Sequence, residues 1–138
     1  MDEKGVSAAA RFTLSPFGID ELLELCMGNV ATAAVALNEF EKEALSDLGR
    51  IQASLAENDP SGIATAAHAL KGAAGMLRAD ELRRIAADLE RIGRSHDLSQ
   101  ARQSVDALRE EIRRCLDYLP EVRMLVAERA RSRTGGAP

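Results

Sequence analysis

Between Val30 and about Ala56 the apolar residues Val30, Ala33, Ala34, Leu37, Ala44, Leu48, Ile51 and Leu55 fall on one stripe when wound at helical spacing. This is the longest helix that the chain specifies. With 138 residues, near the usual size for one hydrophobic core, that helix must share its core with others. Glu41 also projects onto the stripe and is expected near an open end of the assembly.

Shorter helices flank the long one. Leu22, Leu23, Leu25 and Cys26 belong to a short helix from about Phe17 to Met27, interrupted by Gly28 and Asn29. Asp59 can cap a third helix with Pro60 in its first turn, where the missing backbone donor does no harm. Asp80 can cap a fourth, with Leu82, Ile85, Leu89 and Ile92 inward and Gly93 at its end. Ser99 can begin a fifth, carrying Val105, Leu108, Ile112, Cys115, Leu116 and Leu119, with Pro120 to kink or stop it. Short connections imply antiparallel neighbours. The fold class is all-α: an antiparallel four-helix bundle with an additional short N-terminal helix across one end. Residues 1–15 form a flexible leader, 16–120 the bundle, and 121–138 a helical extension that gives way at Ser132 to a flexible tail.

Composition supports this architecture. The chain is 46% hydrophobic but holds three Phe, one Tyr and no Trp, so Leu, Ile, Val and Ala must fill the interior, a mixture that suits close helix packing better than strands. A formal net charge of −4 speaks against bulk nucleic-acid affinity, and the interspersed Glu and Arg read as solvated helix faces. Arg129, Arg131 and Arg133 read as a solvated tail. No apolar run approaches the roughly 20 residues needed to cross a bilayer. The N-terminus, Met1-Asp2-Glu3-Lys4, is not followed by an apolar signal core, so the expected compartment is the cytoplasm. Cys26 and Cys115 lie at apolar-periodic positions with no Cys or His at metal-ligand spacing, and are read as buried thiols. No metal site is expected.

One residue of the third helix breaks with its surroundings. Ile63, Ala66, Ala67, Leu70, Ala74 and Leu77 define the inner stripe, and His68 lies about 150° from its centre at roughly 100° per residue. A histidine that fills the core should not point there. Along the same outer face, Ala64 lies one turn before His68, Lys71 and Gly72 one turn after, and Gly75 two turns after. The imidazole therefore stands in a clearing of small side chains with one cation beside it. A solvent-facing imidazole is largely neutral near pH 7 and offers a ring-nitrogen lone pair, while an ammonium one turn away can support the oxygens of an arriving phosphoryl group. The only other histidine, His96, sits among Gly93, Ser95 and Asp97 and reads as a loop residue.

The run His68-Ala69-Leu70-Lys71-Gly72 resembles the His-x-Leu-Lys-Gly signature of histidine-containing phosphotransfer (HPt) domains of bacterial phosphorelays. The likeness extends from near Pro16 to near Leu119: Gly28-Asn29 to Phe40 resembles the start of that family's long second helix, Asn58-Asp59-Pro60 the turn into the histidine helix, and Leu82 to Leu89-Glu90 the helix that follows. The resemblance implies that His68 is the phosphoacceptor, Lys71 its phosphoryl-supporting cation and Gly72 the cleared docking position; with Ala64, Thr65 and Gly75 of the same helix, Gly72 is expected to make the partner-docking surface. It implies a phosphotransfer intermediate without autonomous kinase activity, relaying between aspartates of response-regulator receiver domains downstream of a hybrid histidine kinase. No cofactor is bound by this chain; Mg²⁺ is expected on the partner receiver. Nucleic acid and membrane are not expected partners, and the apolar stripes can all be used within one bundle, so a monomer is expected. Arg78 departs from the pattern: it stands just after Leu77, where the family commonly has glycine, which bears on the local turn or the partner contact.

Two other readings compete. A noncatalytic helical adaptor would use the same face to bind a receiver or kinase without phosphotransfer, and the intact His68 and Lys71 argue against it. The phosphoacceptor region of a sensor kinase usually has an acidic residue next to its histidine, whereas His68 is followed by Ala69 and Leu70.

Overall fold

The structure, a computed structural model, describes residues 15–135. Its described residues form six α-helices: α1 (Ile19–Leu25), α2 (Val30–Ala56), α3 (Pro60–Met76), α4 (Asp80–Ser95), α5 (Ala101–Asp117) and α6 (Leu119–Gly135), with a 3₁₀ turn at Leu98–Gln100 before α5. Helices α2 to α5 pack in a closed ring, each against the next and α5 against α2. The short α1 lies against α6 and α2, so the last helix and the first together cover part of the bundle. Leu22, Leu23, Leu37, Ile51, Ile63, Leu70, Leu82, Leu89, Val105, Leu108, Ile112 and Val122 are the large side chains removed from solvent altogether. Phe17 and Phe40 meet edge to face, with ring centroids 5.3 Å apart, and tie the segment before α1 to α2.

Local chemistry sets where the helices start and stop. The Asn29 side chain accepts from the backbone N–H of Thr32 at 2.9 Å and opens α2. The Asp59 side chain accepts from the N–H of Gly62 at 3.1 Å and opens α3, with Pro60 in its first turn as the sequence predicts. Asp80 is not the cap of α4. It occupies the first helical position after Ala79, where a carboxylate suits the positive end of the helix dipole, and it pairs with Arg78 at 3.4 Å. Nor does Ser99 open α5; the Asp97 side chain accepts from the Ser99 N–H at 3.1 Å and starts the 3₁₀ turn that leads into Ala101. Helix α4 continues past Gly93 to Ser95, and His96 closes it in a left-handed conformation with φ 62°.

The buried line of α2 runs Ala33, Leu37, Phe40, Ala44, Asp47, Ile51, an unbroken alternation of three- and four-residue steps. It differs from the expected stripe at both margins: Val30 is exposed, Phe40 is core, and Glu41 is half-buried midway along the helix rather than at an open end. The carboxylate that α2 does bury is Asp47, whose Oδ2 has no hydrogen-bond partner. Burial, then the neighbouring charge of Glu43, pushes the Asp47 carboxyl above its ordinary range.

At the C-terminal end, Pro120 lies in the first turn of α6, and the helix runs on to Gly135, beyond the Ser132 at which the tail was expected to begin. Val122, Val126 and Ala130, four residues apart, join the core and hold the helix down. Arg129 bonds Asp20 of α1 at 2.8 Å and Arg133 approaches the same carboxylate at 3.8 Å, so these two arginines sit on the protein rather than in a free tail. Residues 1–14 of the leader expected at 1–15, and residues 136–138, lie outside the described residues. Cys26 and Cys115 are buried free thiols. Burial, reinforced by Glu111, pushes the Cys115 thiol up to about 12, so it stays protonated and unreactive at neutral pH. No helix among the described residues is long and apolar enough to cross a membrane.

Candidate functional site

The contact between α3 and α4 builds the site. A Cβ added to Gly93 would lie 2.7 Å from the Pro60 carbonyl oxygen and 2.8 Å from the Ala64 nitrogen, so only glycine lets the two backbones approach there. From that crossing the helices run antiparallel: Gly93 faces Ala64, Glu90 faces His68 and Lys71, and Arg83 lies against Gly75. Glu90, one turn before Gly93, is thereby carried underneath the histidine.

The His68 side chain is 64% exposed, and its Nδ1 lies 2.9 Å from Glu90 Oε2. Glu90 Oε1 takes Lys71 Nζ at 2.7 Å, and Oε2 also takes an Arg94 guanidinium nitrogen at 2.5 Å. The carboxylate itself is almost fully buried, with a side chain 4% exposed. Hydrogen bonding from Lys71, then from His68, and the Arg94 charge hold Glu90 below its ordinary carboxyl range against the opposing effect of burial. An ionised carboxylate can only accept. The His68 Nδ1 must therefore carry the proton, which leaves Nε2 of the neutral ring with the free lone pair. Three donors converge on one buried anion; Lys71 is half-buried, whereas the imidazole and the Arg94 guanidinium both keep most of their surface in solvent.

The small residues around His68 fall into two groups. Towards α2, Gly72 is exposed and an added Cβ would meet nothing within 4 Å, while Thr65 is exposed beside Arg50 and Ser54. Met76, one turn beyond Gly72, adds an exposed apolar side chain. Towards α4, Ala64 is half-buried against Gly93, and a Cβ on Gly75 would lie 3.4 Å from Arg83 Cδ and Nε. The open ground is thus on the α2 flank, and Ala64 and Gly75 serve the helix contact as well as the clearing. Lys71, half-buried, rests on Glu90 rather than standing free. His96 is exposed at the end of α4.

Glu90 and Arg94 are the site residues that motif reasoning from the histidine helix misses. A signal for Glu90 exists in the sequence: it lies four residues after Ala86 and three before Gly93, so a carboxylate continues a line of small buried residues on one flank of α4. Arg94 carries no such signal, because an arginine at i+4 from a glutamate is ordinary surface pairing. Among the described residues no group of three or more His, Cys, Asp or Glu side chains is placed to hold a metal ion.

The pattern of the Hpt domain family matches residues 35–119, a span that contains His68, Lys71, Gly72, Glu90 and Arg94. No curated protein sequence matches the chain. Among solved structures the chain is similar to the histidine-containing phosphotransfer protein B (HptB) from Pseudomonas aeruginosa PAO1, with a TM-score of 0.66 and 21% identity over 84% of this chain and 95% of that one. At that identity the likeness speaks for the helical bundle alone, whereas the family match covers most of the sequence and the whole histidine helix. The chain belongs to the Hpt domain family, the histidine phosphotransfer proteins of phosphorelays.

Proposed function

We propose that His68 accepts a phosphoryl group from an aspartyl phosphate on one receiver domain and passes it to an aspartate on another, the first receiver being loaded by a hybrid histidine kinase. The observation that carries this reading is an exposed imidazole whose Nδ1 is engaged by a buried carboxylate, so that Nε2 is the nucleophile and faces an uncrowded surface. Lys71, bonded to the same carboxylate, is one helical turn away and supplies the cation for the transferred oxygens. Arg94 is a second cation within reach of that position. Thr65 and Gly72 form the ground on which a receiver docks, with Ala64 and Gly75 at its edge. In-line transfer needs a divalent ion and an acceptor carboxylate, and the receiver provides both, so the chain has no kinase activity of its own. It acts as a monomer in the cytoplasm.

The test is to incubate the chain with a phosphorylated receiver and to map the resulting acid-labile phosphate by fragmentation. Phosphate on His68, absent from His68→Gln and present in His96→Gln, is the expected result. Labelling of His68→Gln at the parental level would remove the assignment.

A further inference from the structure

Glu90 has a consequence beyond choosing the nucleophilic nitrogen. Attack by Nε2 forms an N–P bond while the P–O bond to the donor aspartate breaks, its electron pair going to the departing carboxylate oxygen. If Nδ1 keeps its proton, the product ring carries a positive charge, as a phosphoimidazolium. In the reverse direction the acceptor carboxylate attacks phosphorus, the N–P electron pair returns to Nε2, and a neutral imidazole leaves. No proton has to move in either direction. If Nδ1 instead lost its proton after phosphorylation, the leaving group would be an imidazolate, and the N–P bond would be far harder to break.

We infer that Glu90 is a positioning residue that keeps the phosphorylated His68 ring protonated at Nδ1, and so sets how readily the phosphoryl group leaves. This rests on His68 being the phosphoacceptor. Nδ1 already lies 2.9 Å from Glu90 Oε2, so the new cation forms directly against an anion that is shielded from water. The charged groups facing Glu90 are His68 and Lys71 from α3 and Arg94 from α4. Before phosphorylation Lys71 and Arg94 share that anion with the ring; once the phosphoryl oxygens arrive they have a second anion to serve, and Glu90 is left to the imidazolium. The same carboxylate therefore acts as the resting place of both cations and as the counter-charge of the loaded ring.

The chain can be loaded with phosphoramidate, a small phosphoryl donor, and followed by ³¹P NMR against pH. In the parent the phosphorus signal should titrate with a midpoint about 1 pH unit or more above that of N-phosphoimidazole in the same buffer, the size of shift that an adjacent opposite charge produces. Glu90→Gln keeps the shape and an acceptor oxygen but removes the charge, so its midpoint should fall by a similar amount and its phosphohistidine should persist about tenfold longer at pH 8. A loosened site would admit water and shorten the lifetime, so lengthening separates the charge effect from structural damage. A parent midpoint equal to that of N-phosphoimidazole overturns the inference even if Glu90→Gln fails to fold, as does a Glu90→Gln variant with the parental midpoint and lifetime. Absence of label on His68 in the parent, from phosphoramidate and from a phosphorylated receiver alike, instead overturns the functional reading on which the inference stands.

Discussion

His68 stands out because its position contradicts its surroundings: five residues of α3, and Leu77 just past its end, are buried while the imidazole is mostly in solvent. Helical spacing alone reveals this, since one element contains both the stripe and the exception. Glu90 is a different kind of residue. Its role depends on how close α4 comes to α3, a tertiary fact that no periodicity within α4 contains. Asp47 shows the same limit from the opposite side. A carboxylate was expected to trouble the inner face of α2, but Glu41 projects onto the margin and Asp47 onto the centre, a distinction finer than the roughly 100° step allows when the true axis of the stripe is unknown. Asp47 leads to a pH prediction. Its carboxyl is raised in the folded state by burial, so folding binds the proton more tightly than the unfolded chain does. Stability from this group is therefore fully present below the ordinary carboxyl pKa near 3.9 and is lost as pH rises through the raised value. Asp47→Asn should melt higher than the parent at pH 7, and the gain should shrink as the pH approaches 4. Thermal unfolding across that range checks it, and parallel curves for the two proteins would mean the buried charge carries no cost.

At the scale of the element, glycine has opposite meanings in the two helices of the site. Gly72 opens onto empty space, so Gly72→Ala should stabilise by about 0.5 to 1 kcal/mol through helix propensity alone. Gly93 lies where an added Cβ meets backbone atoms of Pro60 and Ala64, so Gly93→Ala should destabilise by about 1 to 3 kcal/mol and pull Glu90 away from His68. Chemical denaturation of the two variants should give shifts of opposite sign; equal shifts would mean that the close crossing of α3 and α4 does not constrain the fold. The sequence marked Gly93 as the end of α4 because glycine after an apolar stripe usually terminates a helix, yet here the terminating residue is His96, in the left-handed conformation. Arg78 is the corresponding case at the end of α3, with φ 54°. A non-glycine residue in that region is strained, so Arg78→Gly should raise stability by about 1 kcal/mol, less whatever the exposed Arg78–Asp80 pair contributes. An unfolding midpoint at or below that of the parent would show that the turn is held by the arginine side chain instead.

At the scale of the whole molecule, the all-α bundle is legible because each of α2 to α5 carries its own apolar stripe and the connections between them are short. What the stripes do not reveal is how α6 is used. Val122, Val126 and Ala130 stand in a segment whose other apolar residues include the exposed Met124, and it is their placement against α1 and α2 that makes them part of the core. The bundle presents the His68 side of α3 outward, with Glu90 bonded to the imidazole, to Lys71 and to Arg94, and with Gly72 leaving the flank open. The most direct measurement of the central claim is a relay between two receivers, one radiolabelled at its aspartate and the other unlabelled, mixed with the chain. Label should reach the second receiver only when the chain carries His68, and it should pass transiently through the chain itself. Equal transfer with His68→Gln, or label that enters His68 and never leaves it for either receiver, would contradict the account.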